Sequence, residues 1–182
     1  MSSAGEEQKG NYYIIADHLR TTIFALADGA KFEPKGRGYI LKKLVKKAVL
    51  LTYFLNLSTS DLLLISQKII EVNGNFHSHL KKSENSIIES LKKEIGKEWK
   101  LIQSAQQKII KYCSKNPQKL VPAQEVFLWY DTYGIPLELI DYCLQQKERT
   151  FSRNEFTELL KKQKILGKKD RKSKKVSAFD LK

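Results

Sequence analysis

Gly36-Arg37-Gly38-Tyr39-Ile40-Leu41-Lys42-Lys43-Leu44-Val45-Lys46-Lys47-Ala48 is the stretch on which the fold turns. Two glycines frame a turn, and the residues after them have the period of a helix. Ile40, Leu41, Leu44, Val45 and Ala48 recur at three and four, while the lysines come in pairs at Lys42/Lys43 and Lys46/Lys47. One face packs and the other presents positive charge at the spacing of a helical turn. A basic row on a rigid helix suits a phosphate backbone. A solvated lysine face on an ordinary amphipathic helix has the same pattern.

The same period extends outward in both directions. It predicts helices over 11–28, 37–55, 59–73, 77–114, 122–133, 136–147 and 152–165, with no alternating strand. The expected fold class is all-α, a bundle of six to seven helices with one long helix or αα-hairpin. That long element is 77–114, where Leu80, Ile87, Leu91, Ile95, Trp99, Ile102 and Ile109 recur at helical spacings among charged residues. Punctuation agrees. Ser58-Thr59-Ser60-Asp61 is a cap cluster, and Ser152-Arg153-Asn154-Glu155 reads as a capping box. Asn73-Gly74-Asn75 ends a helix with a residue free to take positive φ, and Gly134-Ile135-Pro136 breaks one helix and starts the next.

A length of 182 residues allows one compact domain, or one domain plus an appendage, with a real core. We expect it over 11–166, between a flexible segment 1–10 and a basic disordered tail 167–182. Net charge is +13, and it is clustered. Residues 31–47 carry seven basic groups against Glu33, and residues 161–175 carry nine against Asp170. The remainder is close to neutral. Clustered charge of this kind is the footprint of a nucleic-acid surface, because each neutralised phosphate releases condensed counterions. No long apolar run or signal peptide points to a membrane, so the cytoplasm, or the matrix of an organelle, is the expected compartment. Only five basic residues are arginine.

Signals for other chemistry are sparse. His77 and His79 stand two apart without a third ligand at suitable spacing, so no metal is expected. Cys113 and Cys143 read as reduced, partly buried thiols. His18 reads as a packing or hydrogen-bonding residue of the first helix. No serine, cysteine or aspartate has a catalytic setting, and no cofactor is implied.

Four segments carry a resemblance, taken in order along the chain. They are Ile14-Ile15-Ala16-Asp17-His18-Leu19-Arg20 with Ala27-Asp28-Gly29, the 36–48 stretch, Phe127-Leu128-Trp129-Tyr130-Asp131-Thr132-Tyr133-Gly134-Ile135-Pro136-Leu137, and Phe156 through Gln163. In residues, order and approximate spacing they resemble alanyl-tRNA synthetase, in the helical region after its catalytic core. The match runs over roughly residues 11–172 and drifts in 56–118. Neither the motif with an arginine for the ATP α-phosphate nor the later Gly-x-Gly-x-x-Arg element occurs in this sequence. The His-x-x-x-His of the editing domain and the oligomerising tail are also absent. The resemblance therefore implies a free-standing copy, or a fragment, of the domain that holds the tRNA acceptor stem, without aminoacylation activity of its own.

It also implies RNA-binding residues: Lys35, Arg37, Lys42, Lys43, Lys46, Lys47 and Asp131, with Lys168, Lys169, Arg171 and Lys172 in the tail. In the family a G·U wobble pair is read by an Asn before the Gly-Arg-Gly-Tyr turn and by the Asp of Tyr-Asp-Thr-Tyr-Gly. The Asp is present as Asp131, but the Asn position holds Pro34, which has neither amide donor nor acceptor to offer a base edge. The family's paired arginines are lysines here, keeping charge and losing bidentate geometry. The residues admit three functions. One is a non-catalytic binder of tRNA or a similar A-form stem. The second is a structural subunit of a ribosome or other RNA–protein assembly, meeting rRNA or protein. The third is a split synthetase subunit acting with a separate catalytic chain, which requires an apolar docking face that Tyr12, Tyr13, Ile23 and Phe24 could supply; the same residues read equally well as core.

Overall fold

The computed structural model describes residues 3–165, and they are almost entirely helical. The helices are α1 (Ser3–Ala27), α2 (Gly36–Phe54), α3 (Thr59–Asn73), α4 (Ser78–Lys82), α5 (Glu84–Lys115), α6 (Ala123–Asp131) and α7 (Leu137–Gln145). An eighth, α8, runs over 153–165. The chain divides into two compact units, Met1–Ser104 and Ala105–Lys182, with the division inside α5.

In the first unit the apolar stripes meet. Ile15, Leu19 and Ile23 of α1 are buried, with Leu41, Val45, Ala48 and Val49 of α2, Leu62 and Ile70 of α3, and Leu80 of α4. Leu91 and Ile95 of α5 complete this core. α1 begins at Ser3, eight residues before the expected start. Residues 4–9 include Ala4, Glu6, Glu7, Gln8 and Lys9, good helix formers that give no apolar period to read. Ser58 caps α3 through a reciprocal capping box with Asp61, whose carboxyl is held below its usual range by the Ser58 amide and hydroxyl.

Two expectations for this unit change. The 77–114 element is broken at Ser83, whose backbone N–H bonds back to His79 while α5 starts at Glu84. Gly74 lies at φ −64, in ordinary helical space, so it is not there for a positive φ. Its reason is room: a Cβ would come within 2.6 Å of both the Ile70 carbonyl oxygen and Lys81 Cγ.

The second unit is built around Trp129, buried and edge-on to Tyr112 at a centroid distance of 5.2 Å. Phe156 gathers Phe151 and Tyr130 at 5.8 and 5.6 Å. A two-residue parallel pairing, β1 (Leu120–Val121) with β2 (Thr150–Phe151), joins the loops after α5 and α7. Arg149 secures the same corner, donating to the carbonyls of Asn116 at 3.1 Å, Cys113 at 3.4 Å and Gln118. These bonds satisfy carbonyls at and beyond the C-terminus of α5. Gly134 takes φ +64 in the turn between α6 and α7, and Pro136 stands at the N-cap of α7.

Candidate nucleic-acid interface

The glycines at the head of α2 have different jobs. Gly36 adopts φ +62, which an L side chain resists, and Lys35 before it is extended. Gly38 is buried against backbone. A Cβ there would lie 2.3 Å from the Lys31 carbonyl oxygen and 2.5 Å from the Glu33 amide nitrogen. The loop before α2 is thereby pressed onto its first turn. It leaves an open cleft of about 730 Å³ bordered by Asp28, Lys31, Lys35 and Arg37. The first turn of α2 has no acidic residue, and no side chain caps it. The N–H groups of that uncapped turn and the positive end of the helix dipole thus share the cleft's edge with three cations against the two carboxylates of Asp28 and Glu33, a balance that favours anions.

Further along α2 the lysines divide into two sets. Lys43 is exposed and lies over the Tyr39 ring at 4.7 Å, and Lys46 is exposed. Lys47 is half-buried. Lys42 is also half-buried and faces Glu94 of α5, its Nζ 3.9 Å from Oε1. Glu94 is buried, and its other oxygen meets Lys97 Nζ at 3.4 Å. One turn on, Glu98 has its carboxyl raised by burial, an effect opposed by Lys46 and Lys42. Two carboxylates of α5 therefore stand against one edge of the lysine row. Leu41, Val45 and Ala48 pack inward as expected, whereas Ile40 is exposed.

Asp131 ends α6 in the second unit and is exposed. Its Oδ1 accepts a hydrogen bond from Gln163 Nε2 of α8. Two of the four resembling segments thus meet at this bond. The turn after Asp131 is closed by backbone bonds, Thr132 N–H to Leu128 and Ile135 N–H to Trp129, each at 3.0 Å. Lys168, Lys169, Arg171 and Lys172, with the whole 167–182 tail, lie outside the described residues.

Among the described residues no three His, Cys, Asp or Glu side chains group as metal ligands. His77 and His79 instead flank Phe24, whose ring lies 5.1 Å from that of His77, and His79 Nε2 is 3.7 Å from Asp28. Burial raises the thiol of Cys113 and pushes that of Cys143 up to about 11. No helix of the described residues is long and apolar enough to cross a membrane. Of the four residues suggested as a docking face, Ile23 is in the core and Phe24 is half-buried, while Tyr12 and Tyr13 are exposed.

Sequence reasoning missed Glu94, Glu98 and Gln163 as parts of the site. A signal for the first two existed: acidic residues at i and i+4 beside the buried Leu91 and Ile95, opposite a helix rich in lysine.

This is an all-α module with a basic helix face and a cation-lined cleft at that helix's start. It matches the class II (A) tRNA synthetases over residues 2–182, and the chain belongs to that family. It is 30% identical to an alanine–tRNA ligase of Sulfurimonas denitrificans over 158 residues, 87% of this chain and 18% of that protein. Identity is 28% over 162 residues with the alanine–tRNA ligase of Campylobacter jejuni subsp. doylei, 89% of this chain and 19% of that one. With that of Sulfurovum sp. it is 30% over 158 residues, again 87% and 18%. The chain therefore spans about a fifth of the length of the relatives it matches.

Proposed function

We propose that this chain is a non-catalytic RNA-binding domain that grips the acceptor stem of tRNA, or a stem of the same A-form shape, through the head and outer face of α2. The observation that carries the reading is the meeting of Lys31, Lys35 and Arg37 around an uncapped helix start. Lys43 and Lys46 continue the charge along the exposed face. The relatives' name, alanine–tRNA ligase, supports tRNA as the RNA. Contacts of this kind fall on phosphates, so they position the RNA without reading its sequence.

The test is a salt titration of binding to a tRNA acceptor-stem transcript. Changing Lys43, Lys46 and Lys47 together to Ala should weaken binding and flatten the slope of log Kd against log salt by about one for each phosphate no longer neutralised. Unchanged affinity would leave the row a solvated face. Stems with G·U and with G·C at the wobble position should bind almost equally, since Pro34 offers no base-edge partner. A tenfold preference for the wobble stem, removed by Asp131→Asn, would refute that part.

A second reading, a domain working with a separate synthetase chain, is favoured by one feature. The α1–α3 cleft of about 580 Å³ is lined by Tyr13, Ala16, Ile65, Ile69 and Val72. Co-purification of native complexes with RNA sequencing separates it from the first, and from an rRNA-bound ribosomal subunit.

A further inference from the structure

Two large side chains in the first turns of α2 face solvent with no reason in the fold. Tyr39 is 46% exposed and Ile40 58% exposed, although Leu41, Val45 and Ala48 of the same helix are buried. Positions three and four apart are neighbours on a helix, so Tyr39 borders Lys42 and Lys43 while Ile40 borders Arg37 and Lys43. Lys43 is common to both, and its Nζ lies 4.7 Å from the centre of the Tyr39 ring. The two side chains thus make one small exposed patch between the cations Arg37 and Lys43. The first turn of the helix has no carboxylate, and the nearest buried one, Glu94, faces Lys42. Arg37 also borders the cation-lined cleft, so patch and cleft adjoin. All of these residues belong to the first unit.

A ligand that covers this patch must bring an apolar surface and negative charge together. A nucleotide does both, with a planar base joined to a phosphate. A protein partner fits less well, because a stable interface buries about 1,200–2,000 Å² around several anchors, and two adjacent side chains supply far less. A membrane fits less well too. A helix lying in an interface inserts a continuous apolar face, and that face of α2 is already in the protein core. Bases inside an A-form stem are stacked on one another and hide their faces. Unpaired nucleotides display theirs, and aromatic side chains stack on them beside cations that hold the backbone. The Lys43 ammonium steadies the ring through a cation–π contact and stands where the adjoining phosphate would lie.

We propose that Tyr39, backed by Ile40, stacks on an unpaired nucleotide adjoining the end of the stem that α2 holds, while Arg37 and Lys43 take its phosphates. This rests on the RNA-binding reading above, and the experiment keeps the two apart. Binding of the full chain is compared across acceptor-stem transcripts that are blunt, or carry one unpaired nucleotide at the 5′ or at the 3′ end. One of the overhanging stems should bind about ten times more tightly than the blunt one, in the lower part of what a single base–aromatic stack contributes. Tyr39→Ala should remove that advantage and Tyr39→Trp should keep it. The slope of log Kd against log salt should stay as in the unaltered chain for both, since stacking releases no counterion. Tyr39 lies outside the core and alanine favours a helix, so the variants keep the fold. Equal binding of all the stems, or a preference that survives Tyr39→Ala, overturns this inference and leaves the RNA-binding reading standing. A flatter slope in Tyr39→Ala means that the ring acts only through Lys43, and it overturns the inference as well. Failure to bind any of the stems overturns both. If Tyr39→Ala abolishes self-association in sedimentation and leaves the stem preferences untouched, the patch is a protein contact and the proposal falls.

Discussion

Gly38→Ala tests the geometry at the head of α2. In a helix interior, alanine in place of glycine ordinarily stabilises by about 1 kcal/mol. At Gly38 the new Cβ would meet the Lys31 carbonyl oxygen at 2.3 Å, the Glu33 amide nitrogen at 2.5 Å and Glu33 Cβ at 2.7 Å. Carbon contacts rest at roughly 3.5–4.0 Å, so the loop must retreat by about 1 Å. None of the three atoms is the end of a flexible side chain. Overpacking of this kind costs about 1–3 kcal/mol, and rigid neighbours place it toward the upper end. The net effect is a loss of about 1–2 kcal/mol, or roughly 2–8 °C in Tm for a chain of this length. Gly96→Ala is the matched control, in α5 of the same unit, where a Cβ meets nothing within 4 Å. It should stabilise by about 0.5–1 kcal/mol. Thermal unfolding followed by circular dichroism reads both. If Gly38→Ala matches or exceeds the unaltered chain in Tm, the close approach of loop to helix is wrong, and with it the shape of the cation-lined cleft.

Three other outcomes are expected. Lys42→Ala should destabilise by about 1 kcal/mol, because it strips one partner from buried Glu94, while Lys43→Ala should leave Tm unchanged; denaturant titration separates them. Glu98→Gln should raise Tm at neutral pH. The native state holds the Glu98 proton above the ordinary value of 4.5, so the ionised carboxyl costs stability as pH rises, and the gain should vanish when melts are run below pH 4.5. Both cysteines should react with iodoacetamide at pH 8 far more slowly in the folded chain than in denaturant, Cys143 slowest; prompt native-state labelling would contradict their burial and raised thiols.

Elements with a strong apolar period were readable, and those set by tertiary contact were not. The 37–55 and 59–73 helices lie within a residue of α2 and α3 because buried residues recur along them at helical spacing and Ser58 marks a start. The break at Ser83 has no glycine or proline to announce it. The Leu120–Val121 pairing with Thr150–Phe151 is two residues long, too short for alternation to register, and depends on Arg149 reaching three carbonyls from 31 to 36 residues earlier. At the candidate site, the Gly-Arg-Gly turn was visible, but the reason for its second glycine was not, since a close approach to Lys31 and Glu33 leaves no mark in local sequence. The lysines of α2 were visible as pairs. Their division between Lys42, turned to Glu94, and Lys43, open over Tyr39, needed the position of α5.

That division bears on what the surface can discriminate. Counted along the chain, residues outside 31–47 and 161–175 are close to neutral, yet neutrality by segment conceals segregation by face. On α5 the carboxylates of Glu94 and Glu98 stand against the edge of α2, while Lys93 and Lys100 of the same stretch are exposed. Glu94 stands beside both Lys42 and Lys97 and offsets part of the charge that a phosphate would meet there. The outward lysines remain hydrated point charges on flexible stems. A lysine finds a phosphate from many angles, whereas reading a base edge needs a planar group held in one place. On the proposed function, Asp131 is the only retained member of the family's base-reading pair. One of its two oxygens already accepts from Gln163, so a base amino group must compete for that oxygen or use the other. On the same proposal, with lysines at the family's arginine positions, Pro34 at its Asn position and Asp131 partnered within its own unit, affinity would rest on the density of positive charge and specificity on the shape of the stem. Such a surface follows salt closely and base identity weakly.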